Sequence, residues 1–326
     1  MLAREGQILQ QGKAISNTPL LVPSFSSKGF SDLRKTIKYM SSFIDGSTLV
    51  SAYDIHYKKI APRLTFPKFV FLDSGGYEAR VEHDLSEAYG QDYDPQTWTV
   101  EFYEAVLAKW KISRPTIAVS FDNPTRHSSL AKQITAANKL FKKFPGFIPE
   151  LLIKPKRKGE YIPVEEVVAA ISELQSFAVV GFTERELGPK VMERMIKIAT
   201  IRKAMDAAGL KIPIHIFGSL DTLSTSLYFV AGAEIFDGLT WLRFGYSEGR
   251  TIYAQNYGAM IVKNGILQDY RDLSTTMWVD NYYYLDRLRT QMINFARGKK
   301  FAAFEFNAAQ LDAAHKHLMA QITKEA

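Results

Sequence analysis

Two aspartates stand where short apolar runs end. Asp73 opens Asp73-Ser74-Gly75-Gly76-Tyr77 directly after Phe69-Val70-Phe71-Leu72, and Asp237 lies in Phe236-Asp237-Gly238 directly after Ala233-Glu234-Ile235. Asp54 and Asp122 follow apolar runs in the same way. Two carboxylates that face each other across a glycosidic carbon split a displacement into two easier steps: one attacks the anomeric centre while the other moves protons. Gly75-Gly76 lets the backbone after Asp73 bend tightly and come close to a ligand, and Tyr77 offers a flat face to a ring. Taken singly, each acid is also what an ordinary loop or helix cap carries, and a Gly-Gly pair is what any tight turn carries.

Acids this far apart in sequence meet only if their elements bring them to one side. Eight β-rich runs recur: residues 20–24, 48–53, 69–72, 116–121, 149–153, 177–181, 214–218 and 234–236. Several are apolar on both faces, as strands covered by helices must be. Amphipathic stretches lie between them. The clearest runs from Lys190 to Ala208, where Val191, Met195, Ile198, Ile201 and Met205 recur at helical steps before Gly209. Similar helices fit 96–111 and 164–175. Strand followed by helix, eight times, predicts an α/β protein with a (β/α)8 TIM barrel over residues 1–245, whose strand ends share one mouth. A doubly wound sheet is the alternative. Residues 246–326 are expected to form a helical C-terminal extension packed on the barrel, with a hairpin-like piece at Asn264-Gly265 and an aromatic-rich segment at Tyr282-Tyr283-Tyr284. The acidic stretch from Arg80 to Asp94 is long for a βα loop and reads as a lid or a surface insertion.

The 326 residues contain no cysteine, which excludes disulfides, thiolate nucleophiles and cysteine-based zinc sites. The six histidines are scattered, and His315 and His317 point to different helix faces. Neither a metal nor a cofactor is expected. A net charge of +7 and a pI of about 9.2 suit a polyanionic partner. Lys142-Lys143, Lys154-Pro155-Lys156-Arg157-Lys158 and Arg297-Gly298-Lys299-Lys300 are candidate phosphate contacts or plain solvated surface. No apolar stretch approaches the ~18 residues of a membrane helix, and the first residues lack a secretory pattern, so a cytoplasmic protein without membrane contact is expected.

With both aspartate motifs on eight strands, the chain resembles the tRNA-guanine transglycosylase superfamily over most of its length, including the relatives that insert 7-deazaguanine bases into DNA. The resemblance implies that Asp237 is the nucleophile at ribose C1′ and that Asp73 handles base protons. It implies that Asp122, in Ser120-Phe121-Asp122-Asn123, reads the guanine edge, which offers a donor pattern adenine lacks. Ser74, Gly75, Gly76, Tyr77, Gly181, Phe182 and Phe217 would complete the base pocket, with Tyr77 and Phe217 sandwiching the purine. Lys154 stands where the tRNA enzymes carry a pocket Gln, and Glu78 where they carry a Gln after the aromatic. Their cysteine-bound zinc is missing, and residues 275–284 bring aromatics in its place. That departure favours DNA over tRNA as the polymer. The implied reaction releases guanine and installs a 7-deazaguanine such as preQ0, with Arg243, Arg250, Lys156, Arg157 and Lys158 on phosphates and a homodimer or helper protein as a further partner. Three alternatives remain: a queuine- or preQ1-type tRNA enzyme, a retaining glycoside hydrolase stacking sugars on Trp241, and a non-catalytic nucleic-acid-binding subunit.

Overall fold

An all-parallel sheet is covered on both faces, so its strands are apolar at nearly every position. The central strands meet that condition. The computed structural model describes residues 1–30, 32–80 and 93–324. A hairpin of β1 (Gly6–Gln10) and β2 (Lys13–Thr18) precedes the parallel strands β3 (Leu20–Phe25), β4 (Ser47–Ser51), β5 (Phe69–Asp73), β6 (Thr116–Val119), β7 (Ile148–Ile153), β8 (Val179–Thr183), β9 (Ile214–Phe217) and β10 (Ile235–Gly238). β10 pairs with both β9 and β3, which closes the sheet into a (β/α)8 barrel. All eight expected runs are strands, with ends shifted by a residue or two.

Alternation along each strand sorts the side chains into two cores. Leu20, Val22, Leu49, Phe71, Ile117, Val119, Ile148, Val179 and Ile235 fill the barrel, and Ile8 from the N-terminal hairpin joins them. Their neighbours Leu21, Val50, Val70, Leu72, Val180 and Phe236 face outward to the helices. These helices are α1 (Leu33–Met40), α2 (Ala52–His56), α3 (Val100–Lys109), α4 (Leu130–Lys143), α5 (Val164–Ala169), α6 (Val191–Ala207) and α7 (Ser224–Val230). On α6, Met195, Ile198, Ile201 and Met205 are fully buried, each contributing roughly 1.5–3 kcal/mol. Val191, expected on the same stripe, is exposed. The helix expected over 164–175 divides into α5 and a 3₁₀ turn at Ile171–Ser176.

Past β10 come α8 (Thr240–Arg243), a hairpin of β11 (Phe244–Ser247) and β12 (Arg250–Tyr253), and the helices α9 (Ala254–Ile261), α10 (Tyr270–Gly298) and α11 (Ala308–Lys324). The extension is fastened to the barrel by buried polar contacts. The Asn281 amide on α10 donates to the carbonyls of Trp241 and Phe244 and accepts from the Tyr246 N–H. α11 lies against α6 and α7. The hairpin turns at Glu248-Gly249, both left-handed, rather than at Asn264-Gly265. Asn264 is left-handed too (φ 60°), but it opens a 3₁₀ turn at Gly265–Leu267 that folds tightly onto Gly258 of α9. The same turn residues serve both geometries, and the flanking residues are helical rather than alternating. No helix among the described residues is long and apolar enough to cross a membrane. The segment read as a lid or insertion falls largely in 81–92, outside the described residues.

Candidate active site

At the carboxyl ends of the barrel strands lies a cavity of about 400 Å³. Asp73, Asp122 and Asp237 line it together with Tyr77, Lys154 and Phe217, so the two candidate catalytic aspartates share one space. Each residue of the Asp-Ser-Gly-Gly turn has its own reason to be there. The Asp73 carboxylate accepts from the Gly75 N–H (2.9 Å), and the Ser74 hydroxyl accepts from the Asp122 N–H (3.1 Å). Gly75 has φ 90°, and a Cβ there would lie 2.8 Å from Tyr53 and 2.9 Å from the Trp98 ring. A Cβ on Gly76 would lie 2.5 Å from Asp122 Oδ2. Gly76 thus gives room for the third acid, and Gly75 for Tyr53 and Trp98 behind the turn.

Asp73 and Asp237 have opposite surroundings. Burial, then the neighbouring Glu78 carboxylate, pushes the Asp73 carboxyl up to about 8, with Asp237 and Asp122 adding to the effect. Glu78 is buried, accepts from the hydroxyls of Ser26 and Ser51, and is itself pushed up to about 7 by burial and by Asp54. Asp237 is instead ringed by donors. Its Oδ2 accepts from Ser24 Oγ (2.8 Å) and its Oδ1 from the Gly218 N–H (3.1 Å), while His215 Nε2 stands 3.3 Å from Oδ1. The other face of His215 meets Glu150, with Nδ1 2.7 Å from Oε1. Burial works against an imidazolium, but Glu150 and Asp237 outweigh it and hold His215 up at about 9. Phe217 stacks on the imidazole with ring centroids 3.9 Å apart and also lines the cavity.

A third cluster pairs an acceptor with a donor. Arg80 Nη2 lies 3.0 Å from both oxygens of Asp122. Lys154 Nζ is 3.5 Å from Asp122 Oδ2, 2.7 Å from Glu186 and 3.0 Å from Thr183 Oγ1. Lys28, itself buried, ties the cavity wall together through the carbonyls of Tyr77 and Arg80 and lies 4.5 Å from the centre of the Tyr77 ring.

Several expected site residues lie elsewhere. Phe182 points outward from β8 into the barrel–helix core, because strand alternation turns it away from the mouth, and it does not line the cavity. Gly181 faces inward but sits beneath the floor, where a Cβ would lie 2.5 Å from the Phe217 ring and 2.9 Å from Glu150. Gly181→Ala should therefore displace both, at a cost of about 1–3 kcal/mol. A thermal melt matching wild type would show that Phe217 yields more easily than this packing implies. Asp54 does not reach the mouth: it is fully buried in α2, caps the Ser27 N–H (2.8 Å) and is pushed up to about 6, chiefly by burial. Trp241 is fully buried and donates to the Ser24 carbonyl, so it offers no face to a sugar. Of the basic residues, Arg243 and Lys158 line the cavity, whereas Lys156, Arg157 and Arg250 lie outside its lining. Arg157 and Arg250 are exposed. Arg243 Nη2 lies 3.4 Å from the Lys28 carbonyl and from the Tyr77 hydroxyl.

Glu150, His215, Ser24, Arg80, Thr183 and Glu186 also belong to the site, although no motif in the sequence singles them out. Glu150 and His215 each interrupt an apolar strand at an inward position, and that interruption is the signal the sequence does carry. Scanned against protein-family models, the chain matches none, and no curated protein is significantly similar to it.

Proposed function

We propose that this protein is a nucleic-acid guanine transglycosylase that exchanges guanine for a 7-deazaguanine such as preQ0, with DNA favoured over tRNA. The observation that carries the reading is the contrast between two aspartates on one cavity. A carboxyl pressed toward its protonated form beside one held by hydrogen-bond donors divides the work into a proton donor and a nucleophile. Asp237, ringed by donors, suits the nucleophile; Asp73, pushed up to about 8, suits the acid.

In the first half-reaction a carboxylate oxygen of Asp237 bonds to C1′ as the C1′–N9 bond breaks. The bonding pair leaves with guanine, and Asp73 gives the departing base its proton. In the second, Asp73 takes the N9 proton of the incoming base, N9 bonds to C1′, and Asp237 leaves as a carboxylate. Asp122 and Lys154 fit the edge of either base. The carboxylate accepts from N1–H and the 2-amino group, taking over the contact Arg80 makes, and the ammonium donates to O6. Adenine reverses the pattern. Asp122→Asn should thus lose ~10–100-fold in kcat/KM for guanine, the worth of one bidentate contact. Steady-state exchange of labelled guanine measures this, and an unaltered value would remove Asp122 from base recognition.

The nucleotide must be extruded or presented single-stranded to reach the cavity, and stacking on Tyr77 and Phe217 would offset that cost. The decisive experiment offers preQ0 with DNA or with tRNA and digests the product to nucleosides for mass spectrometry. A 7-deazaguanosine in the DNA digest is expected. Incorporation into tRNA alone would reverse the choice of polymer, and incorporation into neither would sink the reading.

A further inference from the structure

The barrel interior holds a charged pair that the fold itself does not require. Glu150 of β7 and His215 of β9 are both fully buried. A second buried ion pair, Arg202 with Glu234, holds backbone in place: Arg202 donates to the carbonyls of Gly232 and Ile212, and Glu234 accepts from the Ile214 N–H. The side chains of Glu150 and His215 hydrogen-bond no backbone group among the described residues. Among those residues neither Glu150 Oε2 nor His215 Nε2 has a hydrogen-bond partner, and Nε2 faces Asp237 Oδ1 across an ion-pair distance of 3.3 Å. Buried ion pairs are often no more stabilising than apolar residues of similar volume, so stability alone does not account for this one.

We propose that His215, held by Glu150, is a positioning residue that holds the Asp237 carboxylate in place and selects which of its oxygens reacts. The proposal rests on the transglycosylase reading for the identity of the reaction, but not for the pairing itself. Phe217 stacks on one face of the imidazole, and Phe71 meets it edge to face at 5.5 Å, so the ring is fixed. Among the described residues the charged groups on the imidazole are Glu150 from β7 and Asp237 from β10; Asp73 from β5 acts on Asp237, and the Tyr103 phenol from α3 faces Asp73 and Glu150. A second carboxylate across the ring tips the proton shared with Glu150 onto the imidazole.

Oδ1 of Asp237 carries two neighbours, His215 and the Gly218 N–H, whereas Oδ2 carries the Ser24 hydroxyl. Oδ1 thus faces the imidazolium at 3.3 Å, and Oδ2, turned from the cation, is the attacking atom. When Oδ2 bonds to C1′, Oδ1 becomes the carbonyl oxygen of the ester. His215 and the Gly218 N–H remain on it and stabilise the charge that returns when the incoming base displaces the aspartyl group.

His215→Gln removes the cation and retains a polar side chain. It should lower kcat/KM for base exchange on the order of 100-fold at pH 6 and far less above pH 9, because wild-type His215 is a cation at pH 6 and gives that charge up as pH rises through about 9. Glu150→Gln should lower kcat/KM at pH 6 the same way by less, since Glu150 helps hold the proton on His215. A His215→Gln protein with a normal thermal melt whose loss is absent, or equal at pH 6 and above pH 9, would reduce His215 to packing. The pair is also read without turnover. Nitrogen-15 spectra should show both imidazole nitrogens of His215 protonated at pH 8, and only one in Asp237→Asn. A singly protonated His215 at pH 7 in the wild-type protein would overturn the proposal. A doubly protonated His215 in a protein that exchanges no base would support the pair and refute the transglycosylase instead.

Discussion

Asp237→Ala should abolish the denaturation-resistant protein–nucleic acid adduct and lower base exchange by at least ~10⁴-fold. The loss is this large because neither of the other aspartates on the cavity has the same surroundings. Asp73 is pushed up to about 8, toward its protonated form, and Asp122 is bound between Arg80 and Lys154. Removing the side chain also strands the Gly218 N–H, at about 1–3 kcal/mol if left without a partner, whereas the Ser24 hydroxyl loses one acceptor but keeps the Val22 carbonyl and the Gly238 N–H. Asp237→Asn separates the two effects, since its amide oxygen still accepts from one of these donors but cannot attack C1′. The Asn protein should melt near wild type and form no adduct on a gel. An adduct of undiminished yield in either variant would move the nucleophile elsewhere and take the assignment with it.

The architecture was legible because an all-parallel barrel writes itself in the sequence as short runs apolar on both faces, and eight such runs close here. The aspartates at strand ends were legible for the same reason: a barrel delivers the last residue of every strand to one mouth. What escaped was everything set by side-chain direction or by partners across the barrel. Phe182 and Gly181 are neighbours in sequence, yet alternation sends one to the helix layer and the other beneath the cavity floor. Asp54 follows its strand as Asp73 does, but α2 begins at Ala52 and turns the carboxylate inward onto the Ser27 N–H. Glu150 and His215 lie 65 residues apart, and each alone is only a polar residue in an apolar strand. Adjacency between β7, β8 and β9 is what makes them a pair. The N-terminal hairpin passed unnoticed because β1 and β2 are mostly exposed and polar, with Ile8 the one residue that reaches the barrel core fully buried.

Asp73→Asn should cost base exchange on the order of 10³-fold, the usual worth of a positioned acid–base group, and at the same time stabilise the protein in alkali. Both effects have one cause. A carboxyl raised to about 8 in the folded chain, against roughly 3.9 when unfolded, binds its proton more tightly in the native state. Its contribution to stability is therefore complete below about pH 4 and is lost as pH rises through 8. Glu78, at about 7, and Asp54, at about 6, act in the same direction and remain in the variant. Wild type and Asp73→Asn should thus melt alike at pH 4, while at pH 9 the variant should melt higher, on the order of 3 °C. In the wild-type enzyme the alkaline limb of kcat/KM should fall near pH 8, where Asp73 gives up the proton that the leaving guanine needs. Parallel melting curves from pH 4 to 9 would mean the carboxyl is not pressed toward its protonated form, and the division of labour between the two aspartates would lose its physical basis. A rate loss with no alkaline stabilisation would have the same meaning, since an acid that costs nothing to ionise in place has no reason to be the protonated partner at neutral pH.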